Sequence, residues 1–160
     1  MAPDHKPVAA LQWNIRNFRL SDLGRLDEII RDSAEAAQWP LESYAKLAAS
    51  TGGVLLVSEA SGSLLGFLAA RQVADEAEIL NIAVHRDFRR KGAASALLRA
   101  AIEKFRQSAI TRLYLELRES NLAARALYEL HGFALDGRRK RYYRDPPEDA
   151  LCMQKKLTNA

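Results

Sequence analysis

The 160-residue sequence carries 48% hydrophobic and 28% charged side chains and a net charge of +4, which suits one globular domain with a sizeable core. Its single cysteine, Cys152, excludes an internal disulfide and fits a reducing cytoplasm. No apolar run approaches the roughly 20 residues of a membrane-spanning helix. The positive charge suits a polyanionic ligand or a nucleoprotein partner without selecting either. Residues 1–12 read as a flexible leader without an apolar stretch of signal type, and residues 13–160 as the domain.

Strand-like alternation begins over Trp13 to Arg19. Ser21 or Asp22 can cap a helix predicted to run to about Ala37, with Leu23, Leu26, Ile29 and Ile30 on one face. Trp39-Pro40 breaks it, and Leu41 to Ala49 forms a second, shorter helix. Val54 to Glu59 and Leu64 to Val73 are strands joined by Ala60-Ser61-Gly62-Ser63, a hairpin signal. Glu78 to Val84 is a nearly continuous apolar run, expected as a central strand buried on both faces. Ala94, Leu97, Leu98, Ala101, Ile102 and Phe105 then fall on one helical face. Arg112 to Leu117 alternates as a strand, and Asn121 to Leu130 is a helix stopped by Gly132 in the left-handed position after its end. Phe133 to Tyr143 and Leu151 to Leu157 close the chain as strands. The strand–helix–strand unit in the middle implies some parallel pairing, so the fold class is α/β with a mixed sheet.

The chemistry starts where the central strand ends. Ile82-Ala83-Val84 leads through a short loop into Arg89-Arg90-Lys91-Gly92-Ala93-Ala94-Ser95, the opening of the best amphipathic helix. Cations are the wrong sign for a helix N-terminus, which carries about half a positive charge. Its free N–H groups form an anion cradle, and glycine lets a ligand approach the backbone. Two readings stay open here: a docking point for a strongly anionic ligand, a pyrophosphate first, or a solvated basic turn before a helix. Neither the dinucleotide fingerprint nor the P-loop pattern is present.

Other residues are ambiguous on spacing alone. Glu116 is the one acid in the apolar run Leu113 to Leu117, opposite Leu115 and Leu117, and spacing favours a solvent-facing strand residue. Asn121 reads as a helix N-cap and Tyr128 as amphipathic packing. The basic segment from Arg138 to Arg144 could be a nucleic-acid patch, or a strand with its charged side in water. His5, His85 and His131 have no metal-ligand spacing, and no metal is expected. Cys152 in its apolar strand reads as a small buried residue.

Taken in order, Asn81-Ile82-Ala83-Val84, Arg89-Arg90-Lys91-Gly92-Ala93-Ala94, Leu115-Glu116-Leu117-Arg118-Glu119-Ser120-Asn121, Ala126-Leu127-Tyr128 and Gly132-Phe133 resemble the GNAT superfamily of N-acetyltransferases. Asp75-Glu76-Ala77-Glu78, Arg139-Lys140-Arg141-Tyr142-Tyr143 and Glu148-Asp149-Ala150-Leu151-Cys152-Met153 are similar to its bacterial ribosomal-protein N-terminal alanine acetyltransferases. Ala94 stands where the family's loop usually ends in glycine. The loop Ala34 to Leu41 only loosely resembles the subfamily's substrate-side loop.

The resemblance implies a mostly antiparallel sheet with a central parallel pair splayed around the cofactor, and about four flanking helices. It implies acetyl-coenzyme A as donor, held by Ile82, Ala83, Val84, the Arg89–Ser95 turn and Asn121. The acceptor is a primary amine, foremost the N-terminal alanine of a ribosomal protein. Glu116 maps to the general base and Tyr128 to the general acid. Trp39, Tyr142 and Tyr143 are candidates for holding the acceptor, and alternation predicts that the two tyrosines face opposite sides of their strand. No membrane and no obligatory nucleic acid is implied. Two alternatives stay open: the same fold acting on a small amine such as a polyamine or antibiotic, and a basic RNA- or ribosome-binding module without catalysis.

Overall fold

In the computed structural model, which describes residues 11–158, alternation of apolar and polar side chains builds one seven-stranded sheet. The first ten residues of the expected leader lie outside the described range. In chain order the strands are β1 (Asn14–Asn17), β2 (Gly53–Ala60), β3 (Ser63–Val73), β4 (Glu76–Val84), β5 (Arg112–Arg118), β6 (Ala134–Arg144) and β7 (Pro147–Lys156). The helices are α1 (Leu23–Arg31), α2 (Leu41–Ala49), α3 (Ala93–Gln107) and α4 (Leu122–Leu130). Strands lie in the order β1-β2-β3-β4-β5-β7-β6. Every pairing is antiparallel except the central β4–β5 pair. The fold is thus the expected α/β single domain.

Two cores form, one on each face. Leu97, Leu98, Ala101 and Phe105 of α3 pack with Leu68, Ile79, Leu113 and Leu115 of the sheet, joined by Tyr128 and Phe133. Leu26 and Ile29 of α1 and Tyr44 of α2 pack with Leu55, Val57, Phe67 and Ala69 on the opposite face. β2 and β3 are sandwiched between these layers, which is why they read as continuous apolar runs. Beyond β4, α1 and α2 no longer cover their side, and β5, β7 and β6 present an open face there.

Two irregularities shape the site. Opposite β3, the register jumps from Asn81 to Ile79, leaving Leu80 as an extra residue. A bulge bends and twists its strand. At the same level the parallel pairing ends, at Ile79 opposite Leu115. From Asn81 to Val84 the β5-facing edge of β4 therefore has no strand partner, while β5 runs on through Glu116 to Arg118. The sheet opens there like a V. The second irregularity is in β6, where Arg139 opposes Ala150 and Tyr143 opposes Glu148, so three residues bulge out against one. Arg141 sits within it at φ +52°, and its N–H is taken by Asp149 Oδ1 at 2.9 Å.

The expected first helix is shorter than its periodicity suggests. It ends at Arg31, not near Ala37. The backbone from Ser33 to Ala37 instead satisfies its polar groups through side chains distant from the helix pattern. The Gln38 amide donates to the carbonyls of Ile30, Ser33 and Ala36 at 3.0–3.2 Å. Asn81, buried on β4, accepts from Ala37 N–H and donates to the Tyr44 hydroxyl at 2.7 Å. These bonds replace the helical ladder and pin the 33–40 loop across the mouth of the V.

Candidate active site

The gap between β4 and β5 opens into a groove of about 560 Å³. Its floor is Ile82, Ala83 and Val84, and its far end is Arg90 with Gly92 to Ser95. Asp32 to Ala36 wall one side, and Asn121, Ala124 and Leu127 the other. Most of the residues expected to hold the cofactor thus line one cavity.

α3 begins at Ala93, so the cations precede the helix instead of occupying its first turn. Gly92 lies at φ +91°, in the left-handed region. The first intrahelical bond is Ala96 N–H to Gly92 carbonyl at 3.0 Å, and no side chain caps the end. The N–H groups of Ala93, Ala94 and Ser95 are left for an anion. Ser95 Oγ lies 3.1 Å from His131 Nε2. Burial, aided by Arg99 and Lys155, pushes the His131 imidazole below its ordinary pKa.

The three cations of the turn divide their roles. Arg90 lines the groove at φ +59°. Arg89 lines it too, but its guanidinium acts as a strap, donating to Val84 carbonyl at 3.1 Å and to Asp32 carbonyl and Ser33 Oγ at 3.3 and 3.2 Å. Lys91 is outside the lining: its carbonyl accepts from Trp13 Nε1 at 2.8 Å and its ammonium lies 5.3 Å over the Phe88 ring. Asn121 does two things at once, capping α4 through Oδ1 to Ala124 N–H at 3.1 Å and lining the groove.

On the open face of β5 lies a second cavity of about 640 Å³, with Glu116 in its lining beside Glu78, Tyr114, Arg139 and Cys152. Glu116 is not a free solvent-facing residue. Its side chain is 20% exposed, and Oε1 is 2.8 Å from Arg139 Nε. Cys152, opposite Glu116 across the β5–β7 pairing, puts Sγ 4.0 Å from the same oxygen. Cys152 is half-buried and faces the cavity, so the expectation of a buried core thiol is corrected.

Tyr128 is 5% exposed, its ring edge-on to Phe133 at 5.6 Å. The packing reading therefore holds for the ring. Burial, reinforced by nearby Tyr143, raises the phenol well above its ordinary pKa, so its proton is retained. Tyr142 and Tyr143 do not face opposite sides. Their ring centroids are 5.2 Å apart, and Glu116's negative charge pushes both phenols up, as the leading cause for Tyr142 and after burial for Tyr143. The β6 bulge breaks the alternation that separates neighbours on a regular strand. Arg118 holds the Tyr143 ring from 4.2 Å. Trp39, Tyr128, Tyr142 and Tyr143 line neither cavity, and the Trp39 ring packs at a tilt on Tyr44 at 5.0 Å.

Asn81 and Arg139 stood in the sequence motifs without a role of their own, and Asp32 and Ser33 of the groove wall stood outside the expected 34–41 loop. Asn81, a polar residue in an apolar strand, was the one legible signal; the others depend on tertiary approach. Among the described residues no group of His, Cys, Asp and Glu could hold a metal, and no helix is long and apolar enough to cross a membrane.

A seven-stranded sheet whose central parallel pair splays into a groove is an architecture shared with known acetyltransferases. Residues 23–133 match the model of the acetyltransferase (GNAT) family. A Bacillus subtilis protein named "Putative ribosomal protein bS18-alanine N-acetyltransferase" is 37% identical over 140 residues, covering 87% of this chain and 92% of that protein. The ribosomal-protein-S18-alanine N-acetyltransferase of Escherichia coli superposes with a TM-score of 0.83 at 31% identity, covering 93% and 96% of the two chains. Ard1 of Thermoplasma volcanium gives 0.84 at 27%, covering 91% and 98%. The chain belongs to the GNAT family of acetyltransferases and is an N-acetyltransferase.

Proposed function

We propose that this enzyme moves an acetyl group from acetyl-coenzyme A to the α-amine of a protein N-terminus, foremost the alanine of a ribosomal protein. The observation that carries the reading is the unpaired β4 edge lining a groove that ends at the uncapped start of α3, with Glu116 on β5, the strand across the gap. The relatives whose names specify ribosomal alanine support this acceptor.

The residues present fit the cofactor. The unpaired edge of β4 from Asn81 to Val84 can pair with an amide-bearing arm as an added strand would. The N–H groups of Ala93 to Ser95, with Arg90 beside them, suit a pyrophosphate. Ala124 and Leu127 supply an apolar wall, and Asn121 a polar one. When bound, acetyl-coenzyme A supplies the activated acetyl group as a thioester.

The chain's own residues manage protons. An α-amine of pKa about 7.7–8.0 is mostly protonated at neutral pH and cannot attack. Glu116 accepts that proton, directly or through one water. The Tyr128 hydroxyl, kept protonated by burial, donates a hydrogen bond to the sulfur and passes its proton only as the carbon–sulfur bond breaks. Tyr142 and Tyr143, on the Glu116 side, flank the acceptor. Trp39 acts through Tyr44 and the 33–40 loop, bracing the mouth of the groove.

The test is mass spectrometry after mixing the protein and acetyl-coenzyme A with peptides beginning in Ala, Ser, Met or acetyl-blocked Ala, and with spermidine and an aminoglycoside. Acetylation of the unblocked Ala and Ser peptides is expected. Preference for a small amine over every peptide overturns the reading.

A further inference from the structure

The geometry points to Arg139 as a displaceable stand-in for the acceptor's ammonium, a specificity-determining residue that an incoming amine must push off Glu116. The inference rests on Glu116 being the base of the transfer reaction. A base that takes a proton directly from an ammonium, the first of the two routes open to Glu116, is approached by that cation to hydrogen-bond distance. In this structure that place is filled. Arg139 Nε lies 2.8 Å from Glu116 Oε1, and Glu116 is a part-buried carboxylate in the wall of the 640 Å³ cavity.

Three further observations separate Arg139 from a structural ion pair. Its neighbour Arg138 is bound into the fold by two acids, Glu119 and Asp149 at 2.6 and 3.1 Å. Arg139 has Glu116 as its only ion-pair partner among the described residues, and its side chain is 60% exposed. It also occupies the last paired position before the β6 bulge, where the ladder to β7 is interrupted until Tyr143. An alternative seat is at hand, since its guanidinium already lies 5.5 Å over the Tyr142 ring and Asp136 shares the cavity lining.

Exchange has a chemical logic. While the Arg139 guanidinium sits on Glu116 Oε1, the acceptor's ammonium cannot reach that oxygen. Replacing Arg139 with the acceptor's own cation leaves the charge of the site unchanged, whereas expelling Arg139 without a cation leaves Glu116 unpaired. The cavity thus favours an acceptor that arrives as an ammonium.

Arg139→Gln removes the competitor and keeps a polar side chain; Arg139→Lys keeps a cation. Binding of an Ala-initiated peptide to the protein loaded with coenzyme A, which cannot react, is measured by calorimetry, and kcat and KM are measured with acetyl-coenzyme A. An exposed ion pair is worth little, up to about fivefold. The expected result is a peptide Kd and KM lower by about threefold to fivefold in Arg139→Gln, with kcat within twofold of the unaltered enzyme. Arg139→Lys stays within twofold in all three. In a Glu116→Gln background the gain from Arg139→Gln disappears. Weaker peptide binding in Arg139→Gln, a collapse of kcat, or a gain that persists without Glu116 overturns the inference. Failure of the acceptor reading is seen separately, in the unaltered enzyme: if spermidine is acetylated and peptides are not, the same comparison is made on spermidine.

Discussion

Glu116 and Tyr128 differ in how the fold treats them, and the difference sets what each substitution should do. Glu116 sits at a cavity wall beside Arg139 and Cys152, while Tyr128 is sunk in the α3–α4 core. If Glu116 removes the ammonium proton, its loss matters least once the amine is already neutral. Glu116→Gln should therefore reduce turnover most near pH 6 and progressively less above about pH 8, the range in which an α-amine titrates. A pH–rate profile of both proteins checks this, and an equal loss from pH 6 to 10 would mean that Glu116 only positions substrate or water. Tyr128→Phe keeps the edge-on contact with Phe133 and removes only the hydroxyl. Cofactor affinity should be unchanged and the single-turnover rate lower by about 10²–10³, the usual effect of deleting one donor or acid at a reacting centre. An unchanged rate would leave Tyr128 as packing alone.

At the scale of elements, the proposed cofactor site depends on backbone conformation in the turn between β4 and α3. Gly92 at φ +91° sets the start of α3, whose first residues, Ala93 to Ser95, line the groove. A Cβ placed there would meet the Trp13 indole at 3.7 Å, an ordinary contact, and not the groove. The cost of Gly92→Val is thus conformational and not a blocked phosphate site. A β-branched residue resists the left-handed region by roughly 1–3 kcal/mol, so the turn would shift to relieve it. Acetyl-coenzyme A affinity should fall about tenfold, since 1.4 kcal/mol is a factor of ten, with a small loss of thermal stability. Calorimetric titration of Gly92→Val and Gly92→Ala reads both, and equal affinity in Gly92→Val would disconnect the turn from the cofactor.

For the whole molecule, the edge strand β1 is tied to the body by charge. Arg16 bonds Asp22 at 2.8 and 2.9 Å and Glu59 at 2.7 and 2.9 Å, joining β1, the start of α1 and β2. Hydrogen bonding to Arg16 is the main reason that Asp22 and Glu59 ionise below their ordinary range. A carboxylate whose pKa is lower folded than unfolded stabilises the fold above the unfolded value, and that contribution disappears as pH falls through the folded value. Asp22→Asn should then lower Tm at pH 7 by several degrees, for a loss of roughly 1–3 kcal/mol. The gap from the unaltered protein should close as pH falls below about 4, the unfolded carboxylate range. A gap that is constant from pH 7 to 3 would assign the loss to packing instead.

Local pattern alone determined the order of elements, the cap at Asn121, the left-handed Gly132 at φ +86° and the glycine turn that opens α3, because these depend on side chains and backbone within one or two turns of each other. Glu116 and Tyr128 could be singled out only through family resemblance, since a lone acid on a strand and a tyrosine on a helix have ordinary local explanations. What the tertiary structure decided is everything that depends on approach across the sheet. The first helix stops at Arg31 because Gln38 and Asn81 offer its following carbonyls and N–H groups better partners than a further helical turn. Tyr142 and Tyr143 share a side because Asp149 on β7 holds the bulge at Arg141. Arg139 meets Glu116 because β7 lies between β5 and β6, a neighbourhood set by strand order, which no periodicity encodes.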